Sequence, residues 1–212
     1  RTNGVNAINI VEGDEVVDVR LTNGKNEIIL ANRNGRAVRF DENTVRAMGR
    51  VSTGVRGMQL DGDDDQVVGL ILVNDAETET VMVVSENGYG KRSQVEDYRK
   101  TNRGGKGVKT FSITEKTGRL VAIKNVTDDN DLMIINKSGI AIRLAVSDCR
   151  VMGRATQGVR LINLSKKNDV IASVCKVMSS ELEAKLADDN ASTESEATEA
   201  TEANEAKPEN EK

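Results

Sequence analysis

The sequence has no histidine and no tryptophan, and its two tyrosines and two phenylalanines bring aromatics to only 2% of 212 residues. Without histidine it lacks the commonest general base and metal ligand. With so few rings, any core must be aliphatic, and stacking of single-stranded bases on aromatic platforms has little support. Cysteine is limited to Cys149 and Cys175, with no CxxC pair. That argues against zinc and for two buried, reduced thiols. No apolar run approaches the ~18 residues of a membrane span, and no signal peptide is visible. The chain is therefore read as soluble and cytoplasmic, with no membrane partner. The only proline is Pro208, and helical periodicity is almost absent before residue 178.

What the chain has is glycine, charge and repetition. Eighteen glycines punctuate a sequence that is 30% charged and 37% hydrophobic, enough for a real core. Met48-Gly-Arg-Val-Ser-Thr-Gly-Val-Arg56, Thr101-Asn-Arg-Gly-Gly-Lys-Gly-Val-Lys109 and Met152-Gly-Arg-Ala-Thr-Gln-Gly-Val-Arg160 share one frame. Aligning Gly54, Gly107 and Gly158 gives periods of 53 and 51 residues and superposes Arg50, Arg103 and Arg154. The register extends upstream to Gly35, Gly88 and Gly139, and to apolar runs that begin at Ile28, Val81 and Leu132. Downstream, further apolar runs begin at Val67, Leu120 and Val170. Four strand-like segments thus recur in each repeat, with Asn23-Gly24 and the glycines at 35, 88, 118 and 139 as turn signals.

This pattern predicts an all-β fold of four-stranded blades packed side by side, since one blade cannot bury both of its faces. About three and a half repeats are present, centred on loops 48–56, 101–109 and 152–160. Residues 1–21 read as the second half of a preceding repeat, with Gly4-Val5 aligned to Gly54-Val55 and Val16–Leu21 to the run at Val67. Residues 1–178 then form one domain, and the chain reads as a piece of a longer protein. Residues 179–212 form an acidic tail with too few large apolar groups to offset ordering, apart from a short helical stretch over 180–186. From Met178 onward the balance of charge is −8, which leaves +4 for the body.

The remaining chemistry is electrostatic. Cations recur at equivalent positions: Arg39, Arg46, Arg50 and Arg56; Lys91, Arg92, Arg99, Lys100, Arg103, Lys106 and Lys109; Arg143, Arg150, Arg154 and Arg160. On adjacent blades they would line one edge as a curved stripe suited to a bent polyanion, although solvated loop charges are an equally open reading. In the middle repeat, Gly104, Gly105 and Gly107 would let backbone N–H groups approach a phosphate, with Arg103 and Lys106 beside it. The Asp61–Asp65 run lacks the spacing of a calcium loop and reads as a solvated acidic turn. Tyr89 and Tyr98 have no base or metal cluster beside them and read as packing residues.

The segments Val45-Arg-Ala-Met-Gly-Arg50, Thr53-Gly-Val-Arg-Gly57, Asn87-Gly-Tyr-Gly-Lys-Arg92 and Gly153-Arg-Ala-Thr-Gln-Gly-Val159 closely resemble the C-terminal domain of the A subunit of bacterial DNA gyrase. The resemblance covers residues 1–177 in register and implies a β-pinwheel, a propeller-like ring whose neighbouring blades exchange strands. It also implies a non-catalytic surface that wraps double-stranded DNA with positive handedness, largely without regard to sequence. The parent topoisomerase would then introduce negative supercoils by ATP-dependent strand passage. Partners would be the remaining part of the gyrase A polypeptide and the gyrase B polypeptide, two of each. No cofactor is implied for this stretch, since magnesium and ATP serve the holoenzyme. The family's signature loop, Gln-Arg-Arg-Gly-Gly-Lys-Gly, belongs to an earlier blade. Its near copy here implies phosphate contact at Arg103, Gly104, Gly105, Lys106 and Gly107. The family's catalytic tyrosine follows an arginine, and no Arg-Tyr pair exists in this chain. Alternative readings are the equivalent domain of topoisomerase IV and a protein-interaction propeller.

Overall fold

The apolar runs found by the repeat become the central strands of three antiparallel sheets. The computed structural model describes residues 3–164, 169–179 and Glu183. The strands are β1 (Glu27–Asn32), β2 (Arg36–Asp41), β3 (Val67–Val73), β4 (Thr80–Ser85), β5 (Tyr89–Gln94), β6 (Val108–Lys109), β7 (Leu120–Val126), β8 (Asn130–Asn136), β9 (Ala141–Ala145), β10 (Val159–Arg160) and β11 (Ile171–Met178). Their order is β3-β1-β2-β6 in the first blade, β10-β5-β4-β7 in the second and β11-β8-β9 in the third.

Each blade is built from a hairpin turning at Gly35, Gly88 or Gly139, with the next long strand paired to the hairpin's first arm. The short strand from each glycine loop does not join its own hairpin. Val108–Lys109 pairs with Ala37 and Arg36, and Val159–Arg160 pairs with Gly90 and Tyr89. Both of these loops therefore close the blade before them, which is the strand exchange implied by the resemblance.

The two faces of each hairpin serve different neighbours, because side chains alternate along a strand. Ile29, Ala31, Ile71 and Val73 of the first blade meet Val81, Val83, Tyr98 and Leu120 of the second in one core cluster. Met82, Val84 and Val126 on the second blade's other face meet Leu132, Ile134, Ile171 and Val174 of the third. That explains why β4 is buried along its whole length and reads as a continuous apolar run. The core is aliphatic apart from a few rings, chiefly Tyr89, Tyr98 and Phe111. Tyr98 packs fully inside with its hydroxyl 2.5 Å from Thr110 Oγ1. Burial pushes that phenol up to about 12.

Three sequence expectations meet differences. Residues 3–26 contain no strand, and Leu21 is 96% exposed. A strand needs an edge to pair with, and among the described residues no sheet strand pairs with Val16–Leu21. Cys149 is buried, as expected, but Cys175 is exposed. It lies on the face of β11 opposite the core that Ile171 and Val174 enter. The Asp61–Asp65 turn is organised inward rather than solvated throughout. The buried Asp65 carboxylate accepts from Asn32 Nδ2 at 2.6 Å and from the backbone N–H groups of Asp61, Asn34 and Gln66. Among the described residues, no group of His, Cys, Asp and Glu is arranged to hold a metal. The expectations for residues 180–212 lie, but for Glu183, outside the described residues.

Candidate nucleic-acid interface

Each hairpin ends in a short 3-10 turn, Glu42–Thr44, Val95–Asp97 or Val146–Asp148, and the glycine loop follows. The second and third loops then run along the free edge of the preceding blade. Thr101 N–H donates to Arg39 C=O at 2.8 Å, and Met152 N–H donates to Arg92 C=O at 2.7 Å. Successive loops are also joined to one another: Gly104 N–H donates to Gly57 C=O at 2.6 Å, and Gln59 N–H to Gly105 C=O at 2.9 Å. The loops thus form one continuous edge, and equivalent residues stand in rows along it.

The recurring cations sort into three sets by what they touch. Arg39, Arg92 and Arg143, each four residues past a hairpin glycine, serve the fold. Arg39 bonds Glu27, Arg92 bonds Thr80 and Asp128, and Arg143 bonds Asp131 and Glu183. Lys91 is buried beside Arg92, with Nζ 2.5 Å from Ser93 Oγ. The second set is the aligned row that first defined the repeat. Arg103 Nε donates to Thr44 C=O at 3.0 Å and Nη1 to Arg56 C=O at 2.9 Å. Arg154 does the same one blade on, from Nε to Asp97 C=O at 2.9 Å and from Nη1 to Lys109 C=O. These two guanidinium groups tie adjacent loops together. The equivalent Arg50 is exposed, although its loop is also joined to the chain before it, where Asn9 N–H donates to Ser52 C=O at 3.1 Å.

The third set faces solvent. Arg46, Arg99 and Arg150 stand two residues past their 3-10 turns, all exposed, and their side chains have no partner among the described residues. Arg56, Lys109 and Arg160 form a second exposed row. The Arg160 guanidinium stacks 5.5 Å from the Tyr89 ring and donates to its hydroxyl at 2.9 and 3.1 Å. Lys106 reaches Asp61 at 3.3 Å. Lys100 pairs with Glu27 at 2.8 Å and Asp41 at 3.3 Å, and those bonds hold its ammonium above the usual lysine range. A cavity of about 220 Å³ opens beneath the middle loop, lined by Arg39, Arg99, Thr101, Asn102, Lys106 and the Gly105–Val108 backbone. The Gly104 N–H of the middle loop is already given to the Gly57 carbonyl.

In the sequence Arg50, Arg103 and Arg154 are the conspicuous row because they align with the loop glycines, and Arg46, Arg99 and Arg150 are three among many recurring cations. The signal for that row was present, since arginine recurs at 46, 99 and 150 with the same periods. What the sequence lacked was the identity of the carbonyls that occupy Arg103 and Arg154.

Burial pushes the Lys91 ammonium down to about 8, against which nearby Asp97 acts weakly. The folded chain therefore binds fewer protons than the unfolded chain between about pH 8 and 10.5, and stability from this group rises with pH across that window. Lys91→Met should raise the melting temperature at pH 7, by on the order of 1 to 3 kcal/mol in stability. The gain should shrink as pH nears 10 in melts followed by circular dichroism. An unchanged gain at both pH values would contradict this origin.

The family described as "DNA gyrase C-terminal domain, beta-propeller" matches residues 1–23, 26–74, 79–127 and 130–175. The DNA gyrase A polypeptide of Staphylococcus aureus (strain MRSA252) is 47% identical over 175 residues, covering 82% of this chain and 20% of that protein. The chain thus spans about a fifth of the length of the curated relatives it matches. The crystal structure of the C-terminal domain of DNA topoisomerase IV superposes with a TM-score of 0.75 at 29% identity, over 81% of this chain and 53% of that one. The DNA gyrase A C-terminal domain gives 0.75 at 28% identity, over 84% and 59%. The E. coli ParC C-terminal domain gives 0.63 at 17% identity, over 82% and 69%, a likeness of fold alone. With the family pattern matched in four successive segments and 47% identity to a gyrase A polypeptide, the chain belongs to the DNA gyrase C-terminal domain, beta-propeller family.

Proposed function

We propose that this domain binds and bends double-stranded DNA along its loop edge, as the wrapping surface of a gyrase A polypeptide. One observation carries the reading: hydrogen-bonded loops on successive blades bring Arg46, Arg99 and Arg150, and beside them Arg56, Lys109 and Arg160, into repeating solvent-facing rows. Rows of cations at fixed spacing neutralise successive phosphates without reading bases, so binding is sequence-tolerant. Arg50, Lys100 and Lys106 add charge to the same edge. Arg103 and Arg154 each keep one terminal nitrogen for a phosphate, and Gly104, Gly105 and Gly107 let the strand come close. Lys91, Arg92 and Arg143 support the edge from behind rather than touch DNA.

Bending a site of 20 to 30 base pairs costs on the order of 1 to 6 kcal/mol, which contacts spread over several blades can offset. In the cytoplasm the parent enzyme would combine two gyrase A with two gyrase B polypeptides. It would use magnesium and ATP elsewhere in the assembly, and pass the wrapped segment to introduce negative supercoils. The test is duplex affinity of the full chain across a salt series. A rim that touches about 6 to 10 phosphates loses roughly 10³ to 10⁵ in affinity between 50 and 200 mM salt. A flat response, or strong preference for one sequence, would overturn the reading.

A further inference from the structure

Arg39 and Arg92 occupy the same position on successive blades, and their bonds run in one direction. On its own blade, Arg39 Nε donates to Glu27 Oε2 at 2.5 Å, and Arg92 Nε donates to Thr80 Oγ1 at 2.6 Å. Glu27 and Thr80 hold equivalent places at the start of β1 and β4. The far side of each guanidinium crosses to the next blade. Arg39 Nη1 donates to the carbonyls of Val95 at 2.9 Å and Tyr98 at 3.1 Å, and Arg92 Nη1 donates to that of Val146 at 3.3 Å. Those carbonyls belong to, or directly follow, the 3-10 turns that lead straight into Arg99 and Arg150.

We infer that Arg39 and Arg92 are positioning residues for DNA curvature, each fixing the angular step between one exposed arginine and the next. The inference rests on the wrapping reading above. A planar guanidinium can hold its own blade and the next blade's turn at once because its donors point in fixed, divergent directions, which an ammonium cannot reproduce. Arg92 is almost wholly buried and so is shielded from exchange with water, while its second partner, Asp128, is exposed. Loosening the latch would let successive blades rotate without removing any phosphate contact. The curvature of the DNA would suffer while contact with a short, straight duplex would not.

The test uses the full chain and two duplexes, one of about 30 base pairs with a fluorophore at each end, and one of about 12 that is too short to bend. Thr80→Val removes the hydroxyl that accepts from Arg92 and donates to Val126 C=O at 3.0 Å within the same blade, and Arg92→Lys removes the fork. Both should lower the end-to-end energy transfer of the bound long duplex by about half, and the double variant should be no worse than Arg92→Lys, because both act on one latch. Thr80→Val should leave affinity for the short duplex within about twofold, and Thr80→Ser should restore the bend. Circular dichroism establishes that each variant folds, and Thr80→Val decides the matter if Arg92→Lys does not. Wild-type bending in folded Thr80→Val would overturn the inference, as would a parallel loss of short-duplex affinity. A wild-type chain that binds neither duplex would instead remove the wrapping reading, and the latch's role with it.

Discussion

Gly107→Ala should destabilise the chain by on the order of 3 to 5 kcal/mol, whereas Gly54→Ala, at the same place in the repeat, should cost only about 1. Both glycines have positive φ, +71° and +86°, so both substitutions carry the penalty of a left-handed backbone. The difference lies in what the new methyl group meets. A Cβ on Gly107 would stand 2.2 Å from the carbonyl oxygen of Ala37, on the strand that β6 pairs with. That oxygen belongs to a buried backbone and cannot move aside without breaking the short ladder through which the second repeat closes the first blade. Gly158 meets the carbonyl of Gly90 at 2.2 Å in the same way. Around Gly54 nothing lies within 4 Å. A loss of this size is a large part of the roughly 5 to 15 kcal/mol that holds a typical domain together. Denaturant melts of the variants at positions 54, 107 and 158 would check the ordering. Equal costs at positions 54 and 107 would mean that the exchanged strand is not tightly seated.

The largest expected effect on binding comes from Arg46, Arg99 and Arg150 replaced together by alanine. Each exposed arginine that neutralises a phosphate contributes about −0.9 to the slope of log affinity against log salt, so the triple variant should flatten that slope by up to about three. Its affinity at low salt should fall by on the order of 10²-fold, with little change in melting temperature, because these side chains hold nothing within the described structure. Arg50, Arg103 and Arg154 replaced together should behave differently. Arg103 and Arg154 each bond one carbonyl of the preceding 3-10 turn and one of the preceding loop, so that variant should lose stability as well as affinity. The pair of variants separates contact with DNA from upkeep of the edge that presents it.

Most of the architecture is legible in the residues themselves. The glycines at 35, 88 and 139 and the apolar runs beside them set three hairpins, and the period of about 50 set the blades. The pairing of Val108–Lys109 with the preceding hairpin could not be read from composition or spacing, because a two-residue strand carries no pattern of its own. Only the resemblance implied exchange. The site was legible as a set of recurring cations but not as a division among them. Arg39 and Arg46 look alike in sequence, yet one lies between blades against Glu27 and the other faces water. What distinguishes them is the neighbouring blade, which lies one repeat away along the chain. Asp65 was misread for a related reason: a run of acidic residues broken only by Gly62 suggests a solvated turn, and nothing local signals that Asn32 and three backbone N–H groups converge on one of them.

The most direct test of wrapping is the linking number of a nicked circular DNA sealed by ligase in the presence of the full chain. The account predicts a shift that grows with the ratio of protein to DNA, is positive in sign, and collapses when Arg46, Arg99 and Arg150 are replaced by alanine. A linking number that stays at the value of free DNA while the protein is demonstrably bound would contradict it, because a rim that only touches DNA leaves the path of the helix unchanged.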